Sequence, residues 1–414
     1  MTALQILSIL FATAAVFGFV SRRWLRLPAT IGTMLLTALV STGLMLGADA
    51  APGIHRWAAN LVEQIDFENL ILHGMLPLLL FAGAFLLDIE ELAREKLAVA
   101  ILSILGTGLS FILVALLMEL LSGGRLLWIE CLLFGALIAP TDPIAVLEML
   151  RRAGVPGHIQ AQLAGESLFN DGLGAVIFIT MLEVARGHAL TPWHIGGLLL
   201  IEAGGGILVG IVAAWCAARL IRMGNAFQVD VLFTVALALG GYVLAELLKV
   251  SAPLEAVVAG IALRHFNRRA HRQPIAHESL DRFWEVIDEV QNSILFVLLG
   301  LEAMAIRIDV STLRSGLAAI LSVNVVRFAI VALLLWILRR VRPRHQSSVL
   351  ILTWGGLRGG LSIALALSVP VALGRSWILG ATYLVVFFSI VLQGGSMDWI
   401  LRRRHSPATA NPNT

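Results

Sequence analysis

What limits this chain most is the length and spacing of its apolar blocks. They run about 20 residues each, which is what a helix needs to cross a bilayer's hydrocarbon core. Thirteen can be delimited, at 4–20, 28–47, 69–87, 98–121, 128–150, 160–184, 195–218, 228–248, 252–264, 286–305, 313–338, 347–370 and 377–401. A helix satisfies its own backbone hydrogen bonds and tolerates lipid, whereas open strands do not. The reading is therefore an all-α polytopic membrane protein. Composition agrees: 58% of the 414 residues are hydrophobic and 14% are charged, against roughly 25% charged in a soluble domain.

Thirteen spans would put the two ends on opposite faces. The first block follows an uncharged Met1-Thr2-Ala3 and precedes "SRRWLR". A signal peptide carries its positive charge before the apolar core, so a retained first span is expected. With the N-terminus outside, the inner connections hold 21 of the 30 Lys and Arg. The outer ones hold seven: Arg56, Arg125, Arg186, Lys249, Arg307, Arg314 and Arg375. Arg327 and Arg358 fall inside spans. Cytoplasmic connections concentrate Lys and Arg, so the expectation is a cytoplasmic C-terminus; the membrane itself is expected, separately, to be a bacterial inner membrane. The same loops explain the basic balance without nucleic acid. Cys131 and Cys216 lie in apolar blocks and form no disulfide or metal-ligand pattern. Residues 1–401 are read as one transmembrane domain and 402–414 as a short cytoplasmic tail.

Two spans are interrupted. In "CLLFGALIAPTDPIAVLEML", Pro140 and Pro143 bracket Thr141 and Asp142; each proline removes a backbone donor and clashes with the preceding turn. In "LILTWGGLRGGLSIALALSV", Gly355, Gly356, Gly359 and Gly360 surround Arg358, permitting a break or a very close crossing. The two spans are seven apart and so run in opposite senses. Matched interruptions of this kind point to inverted repeats with a binding site at the breaks. Spans one to six and eight to thirteen would be the repeats, linked by the seventh.

Polar groups cluster at the same depth. In "LAGESLFNDGLGAVIFIT", Glu166 and Asn170 share a helix face, as do Ser167 and Asp171. Arg327 lies mid-span in "LSVNVVRFAIVALL". Ionised groups at bilayer depth cost at least a few kcal/mol and mark ion or proton pathways. Carboxylate, hydroxyl and carbonyl oxygens together suit a hard monovalent cation.

"GESLFND", "APTDPIAV", "FWEVIDEVQNSILFVLLGLE" and "GGLRGG" together resemble the signatures of the monovalent cation–proton antiporters, in the NhaP/NHE branch, across almost the whole chain. The resemblance implies a homodimer of thirteen-span subunits. Spans one to three and eight to ten would form the dimerisation scaffold; spans four to six and eleven to thirteen would form a moving ion-binding core with two crossing discontinuous helices. It implies exchange of Na+, or of Li+ or K+, for H+, serving pH and sodium homeostasis, with no cofactor. By position, Asp171 would bind cation or proton, with Thr141 and Ser167 as further Na+ ligands. Asp142 would belong to the unwound crossing, and Asn170 would be the neutral partner marking the electroneutral branch. Glu166 would pair with Arg327, and Arg358 would be the charge of the second crossing helix. One titrating carboxylate favours one-for-one exchange without current.

Two positions depart from the family pattern. Ala82 stands in "LPLLLFAGAFLL" where relatives usually carry an acid lining the path, and Glu255 stands where this branch is usually apolar. Glu255 either lines an ion funnel or sits blandly near a membrane face. Glu148 is expected to pair with Arg151 or Arg152. Glu119, Glu183, Glu202, Glu246 and Glu302 read as lying near membrane faces. His265, His271 and His277 read as a solvated basic loop in preference to a pH sensor. A channel would call for a repeated filter, and an embedded enzyme for a nucleophile–base pair or metal ligands; neither is found. A K+/H+ antiporter of the same fold is the alternative within transport.

Overall fold

The structure is a computed structural model that describes residues 2–25, 27–46, 53, 64–187, 192–223, 226–268, 274–302, 309–341 and 347–405. Among these residues it is helical throughout, with no strand. The helices are α1 (Ala3–Val20), α2 (Ala29–Leu46), α3 (Phe67–Leu86), α4 (Ile89–Ser122), the pair α5a (Trp128–Ile138) and α5b (Ile144–Arg152), and α6 (Gly157–Ala185). After them come α7 (Pro192–Met223), α8 (Phe227–Leu247), α9 (Ala252–Arg268), α10 (Pro274–Glu302), α11 (Val310–Val341), the pair α12a (Val349–Gly355) and α12b (Gly360–Leu367), and α13 (Arg375–Leu401).

Eight of these helices are long and apolar enough to cross a membrane, and the α12 pair, bent by 45°, is a ninth candidate. The others, α2, α5, α9 and α10, fall outside that set by length, interruption or polar content. Charges cause the shortfall in α10, which carries Glu285, Asp288 and Glu289 within its helical run. Length and composition thus support at least eight crossings.

Packing follows the polar patterning. α9 lies closest against α7 and α3, and α10 against α2 and α3. Of these, α3, α7, α9 and α10 share a core of Phe81, Phe85, Ala214, Leu263 and Trp284. Trp284 donates its indole N–H to Thr234 Oγ1 at 3.2 Å and its ring packs on Phe81. On the other side α4 packs on α5a, α6 and α11, and α11 on α13. Two π-helical turns interrupt this second group, at Ile101–Leu105 in α4 and Ser389–Gly394 in α13. Such turns are often found at functional sites, and the second carries Ser389, which accepts from a backbone N–H of the α12 break.

Candidate functional site

The α5 break runs over residues 139–143. Pro140 and Pro143 end one helix and begin the next, which leaves polar backbone inside the protein with no helical partner. The surroundings supply partners. The Asp142 N–H donates to the Leu357 carbonyl in the other break at 2.8 Å, and the Asp142 carboxylate caps α5b by accepting from the Ile144 N–H at 3.0 Å. Arg358 Nη1 donates to the carbonyls of Ala139 and Pro140, both at 2.7 Å. Its own N–H donates to Ser389 Oγ at 3.0 Å. Each break thus satisfies the other.

Two glycines make the crossing possible. A Cβ on Gly359 would overlap the Asp142 carboxylate, and one on Gly174 would overlap the Pro140 ring. Neither glycine needs an unusual φ; both are required by the closeness of the approach.

Across the break, α6 presents its polar face. Asn170 uses both ends of its amide on one residue: Oδ1 accepts from the Thr141 N–H at 3.1 Å and Nδ2 donates to Thr141 Oγ1 at 2.8 Å. Thr141 Oγ1 also lies 2.8 Å from Ser167 Oγ. One turn deeper, Glu166 and Arg327 form a two-pronged ion pair, one prong at 3.0 Å, and Arg327 donates to the Leu352 carbonyl at 3.0 Å. Both residues are buried.

A cavity of about 540 Å³ leads to this point. Its lining includes Arg22, Glu148, Arg151 and Arg152 as well as Thr141, Asp142, Ser167 and Asp171. Among the described residues, no hydrogen bond or ion pair is made by the Asp171 carboxylate. It lies near enough to Asp142 and Arg358 to interact with them electrostatically. A group so placed can hold a proton or a small cation.

The structure thus brings together Asp171, Asp142, Thr141, Ser167, Asn170 and Arg358, with the Glu166–Arg327 pair beside them. Asn170 arrives as a brace on Thr141 and is not among the cavity-lining residues. Glu255 is not among the cavity-lining residues: it is wholly buried against Gly241 of α8, both its oxygens without a hydrogen-bond partner among the described residues. Ala82 is also buried off the cavity, which its neighbour Gly83 lines. Glu148 pairs with Arg152 as the spacing predicts. Glu302 is buried at 2% exposure, and Glu246 contacts His73 at 3.4 Å. His265 belongs to the end of α9; His271 lies outside the described residues, as does the side chain of His277. Sequence reasoning missed one wall. Glu285, Asp288, Glu289 and Asn292 of α10 line the cavity, and their i, i+3, i+4, i+7 spacing was the available signal.

Comparison with known proteins decides the family. The transmembrane sodium/hydrogen exchanger family matches residues 9–403. The chain belongs to that family. It is 37% identical over 410 residues to the Na+/H+ antiporter NhaP of Pseudomonas aeruginosa, covering 97% of this chain and 96% of that one. It is 31% identical over 375 residues to the Na+/H+ antiporter NhaH of Halobacillus dabanensis, covering 88% and 91%. The fold is that of the sodium proton antiporter MjNhaP1 from Methanocaldococcus jannaschii, with a TM-score of 0.73 at 20% identity, over 97% of this chain and 99% of that one. Members of the sodium/hydrogen exchanger family are transporters embedded in membranes by many helices, which is what the apolar helices here provide.

Proposed function

We propose that this chain exchanges Na+ for H+ across the membrane by alternating access, one for one, with Asp171 as the exchanging group. The single observation carrying this reading is an acidic side chain lining a cavity, with no fixed partner among the described residues, beside cations that are already engaged. Arg327 is held by Glu166, and Arg358 by the carbonyls of the α5 break. Neither forms an ion pair with Asp171, although Arg358 interacts with it at longer range. Either a proton or a Na+ can neutralise Asp171, and the occupied site carries the same charge with each. Thr141 and Ser167 offer hydroxyl oxygens to the cation, and Asp142 caps the half-helix facing it.

Thirteen crossings, with α1–α3 and α8–α10 as a dimerising scaffold and α4–α6 and α11–α13 as the moving core, accommodate this. The packing described above favours that division. An N-terminus outside, a cytoplasmic C-terminus and an inner-membrane location would make the cavity open to the cytoplasm, where its arginine rim lies. No enzymatic step is needed.

The test is reconstitution into liposomes loaded with a pH-sensitive dye. A Na+ pulse moves protons at a rate indifferent to a clamped membrane voltage, and Asp171→Asn abolishes the movement. Voltage-dependent exchange would overturn electroneutrality, and Na+ flux without proton flux would overturn antiport.

A further inference from the structure

The wall of the cavity formed by α10 is unlike the wall formed by α3. α3 lines it with Leu76, Leu79, Leu80, Gly83 and Leu86, none of which attracts a cation. α10 lines it with a graded series: Glu285 and Glu289 are exposed, Asp288 is partly buried, and Asn292 is buried at 1% exposure. Four residues separate Asp288 from Asn292, so both stand on one helix face. Asp288 also faces Asp142 across the cavity closely enough for the two carboxylates to interact.

Asn292 is the unusual member. Among the described residues neither its amide oxygen nor its amide nitrogen makes a hydrogen bond of good geometry, although the Asp288 carboxylate one turn away lies close enough to interact with the amide. A buried amide left unpaired destabilises a fold, and an apolar side chain of the same shape would remove that penalty. The chain keeps the amide where it meets the cavity. Amide and carboxylate oxygens are the ligands that hard cations take.

We propose that Asp288 and Asn292 form a second, transient site for a monovalent cation, between the cavity mouth and Asp171, with Asp142 facing it. The inference rests on the reading of Asp171 as the exchanging group. Because α10 packs on α2 and α3 and the Asp171 site is built from α5, α6 and α12, the two sites sit on different helix groups. A movement between those groups separates them, so the α10 site loads Asp171 only while the cavity is open.

The experiment compares Asp288→Asn, Asn292→Leu and, as a control for charge alone, the exposed Glu278→Gln. Both site variants raise the apparent KM for Na+ by about fivefold or more, affecting KM more than kcat, while Glu278→Gln does not. Asn292→Leu removes no charge and melts no lower than the parent. Equal effects of Asp288→Asn and Glu278→Gln with none from Asn292→Leu would reduce α10 to a diffuse negative field and overturn the site. An unchanged KM in both site variants would overturn it too. Equilibrium binding of radioactive Na+ to purified Asp171→Asn gives a readout independent of exchange. A weak residual site is expected there and is lost in Asp171→Asn/Asp288→Asn; absence of residual binding overturns the proposal even if exchange by the parent chain is intact. Failure of the parent to exchange Na+ for H+ would instead break the reading of Asp171.

Discussion

Glu166 and Asp171 lie five residues apart on α6, and the protein treats them in opposite ways. Glu166 is locked by both prongs of Arg327, one of which also donates to the Leu352 carbonyl. Asp171 has no such partner and faces a cavity. A buried charge is tolerated when paired and becomes costly when its partner is deleted. The first carboxylate is therefore part of the frame, and the second is left free for something that comes and goes. The two helix breaks repeat the contrast. The α12 break holds a resident cation, Arg358, buried and bonded to two carbonyls, whereas the α5 break holds Thr141 and Asp142 open to the cavity.

Breaking each carboxylate separately gives the largest expected effects, and they fall on different measurements. Asp171→Asn removes exchange, while its melting temperature in detergent holds or rises because no partner is stranded. Glu166→Gln leaves the Arg327 cation buried against a neutral amide, which costs about 3–5 kcal/mol of stability. Glu166→Leu/Arg327→Met, which removes both charges, costs less than either single change. If Glu166→Gln melted like the parent while exchange fell, the pair would be a working part of the site and the contrast would collapse.

A smaller effect tests the crossing. Gly359→Ala adds a methyl group where the Asp142 carboxylate already stands. Overpacking of this sort costs typically 1–3 kcal/mol, and here the strain falls on the residue that caps α5b. Exchange slows while the Glu166–Arg327 pair is left intact, so the variant still folds. Normal exchange by Gly359→Ala would mean that the crossing yields easily and does not fix Asp142.

Most of this arrangement was legible in the sequence for two physical reasons. Pro140, Pro143 and the four glycines around Arg358 break helices by local stereochemistry, which needs no tertiary knowledge. Glu166, Asp171 and Arg327 stood out because lipid makes charge expensive. What was not legible depends on which face a helix turns inward. Asn170 read as the neutral partner of Asp171, and nothing in the sequence showed that the fold turns it onto Thr141 as a brace. Glu255 read either as a funnel residue or as one near a membrane face, and α9 turns it toward Gly241. Asp288 and Asn292 were passed over because, in a segment already rich in acids, a solvated face and a cavity wall have the same spacing.

The smallest effect comes from a third carboxylate, in water, that is paired without being buried. Asp309 precedes α11 and accepts from the Thr312 N–H at 2.7 Å and from the Ser311 hydroxyl at 2.8 Å. These bonds, the Thr312 backbone bond first among them, pull its pKa down to about 2. An unfolded aspartate titrates near about 4, so the native state prefers the ionised form. The cap's contribution is complete above that value and is lost as pH falls through about 2. Asp309→Ala therefore lowers the melting temperature slightly at neutral pH, and the gap to the parent closes with acidification. Full exposure to solvent screens the effect, so it stays well below that of Glu166→Gln. A loss as large as that of Glu166→Gln would show that membrane burial is not what separates a costly carboxylate from a cheap one.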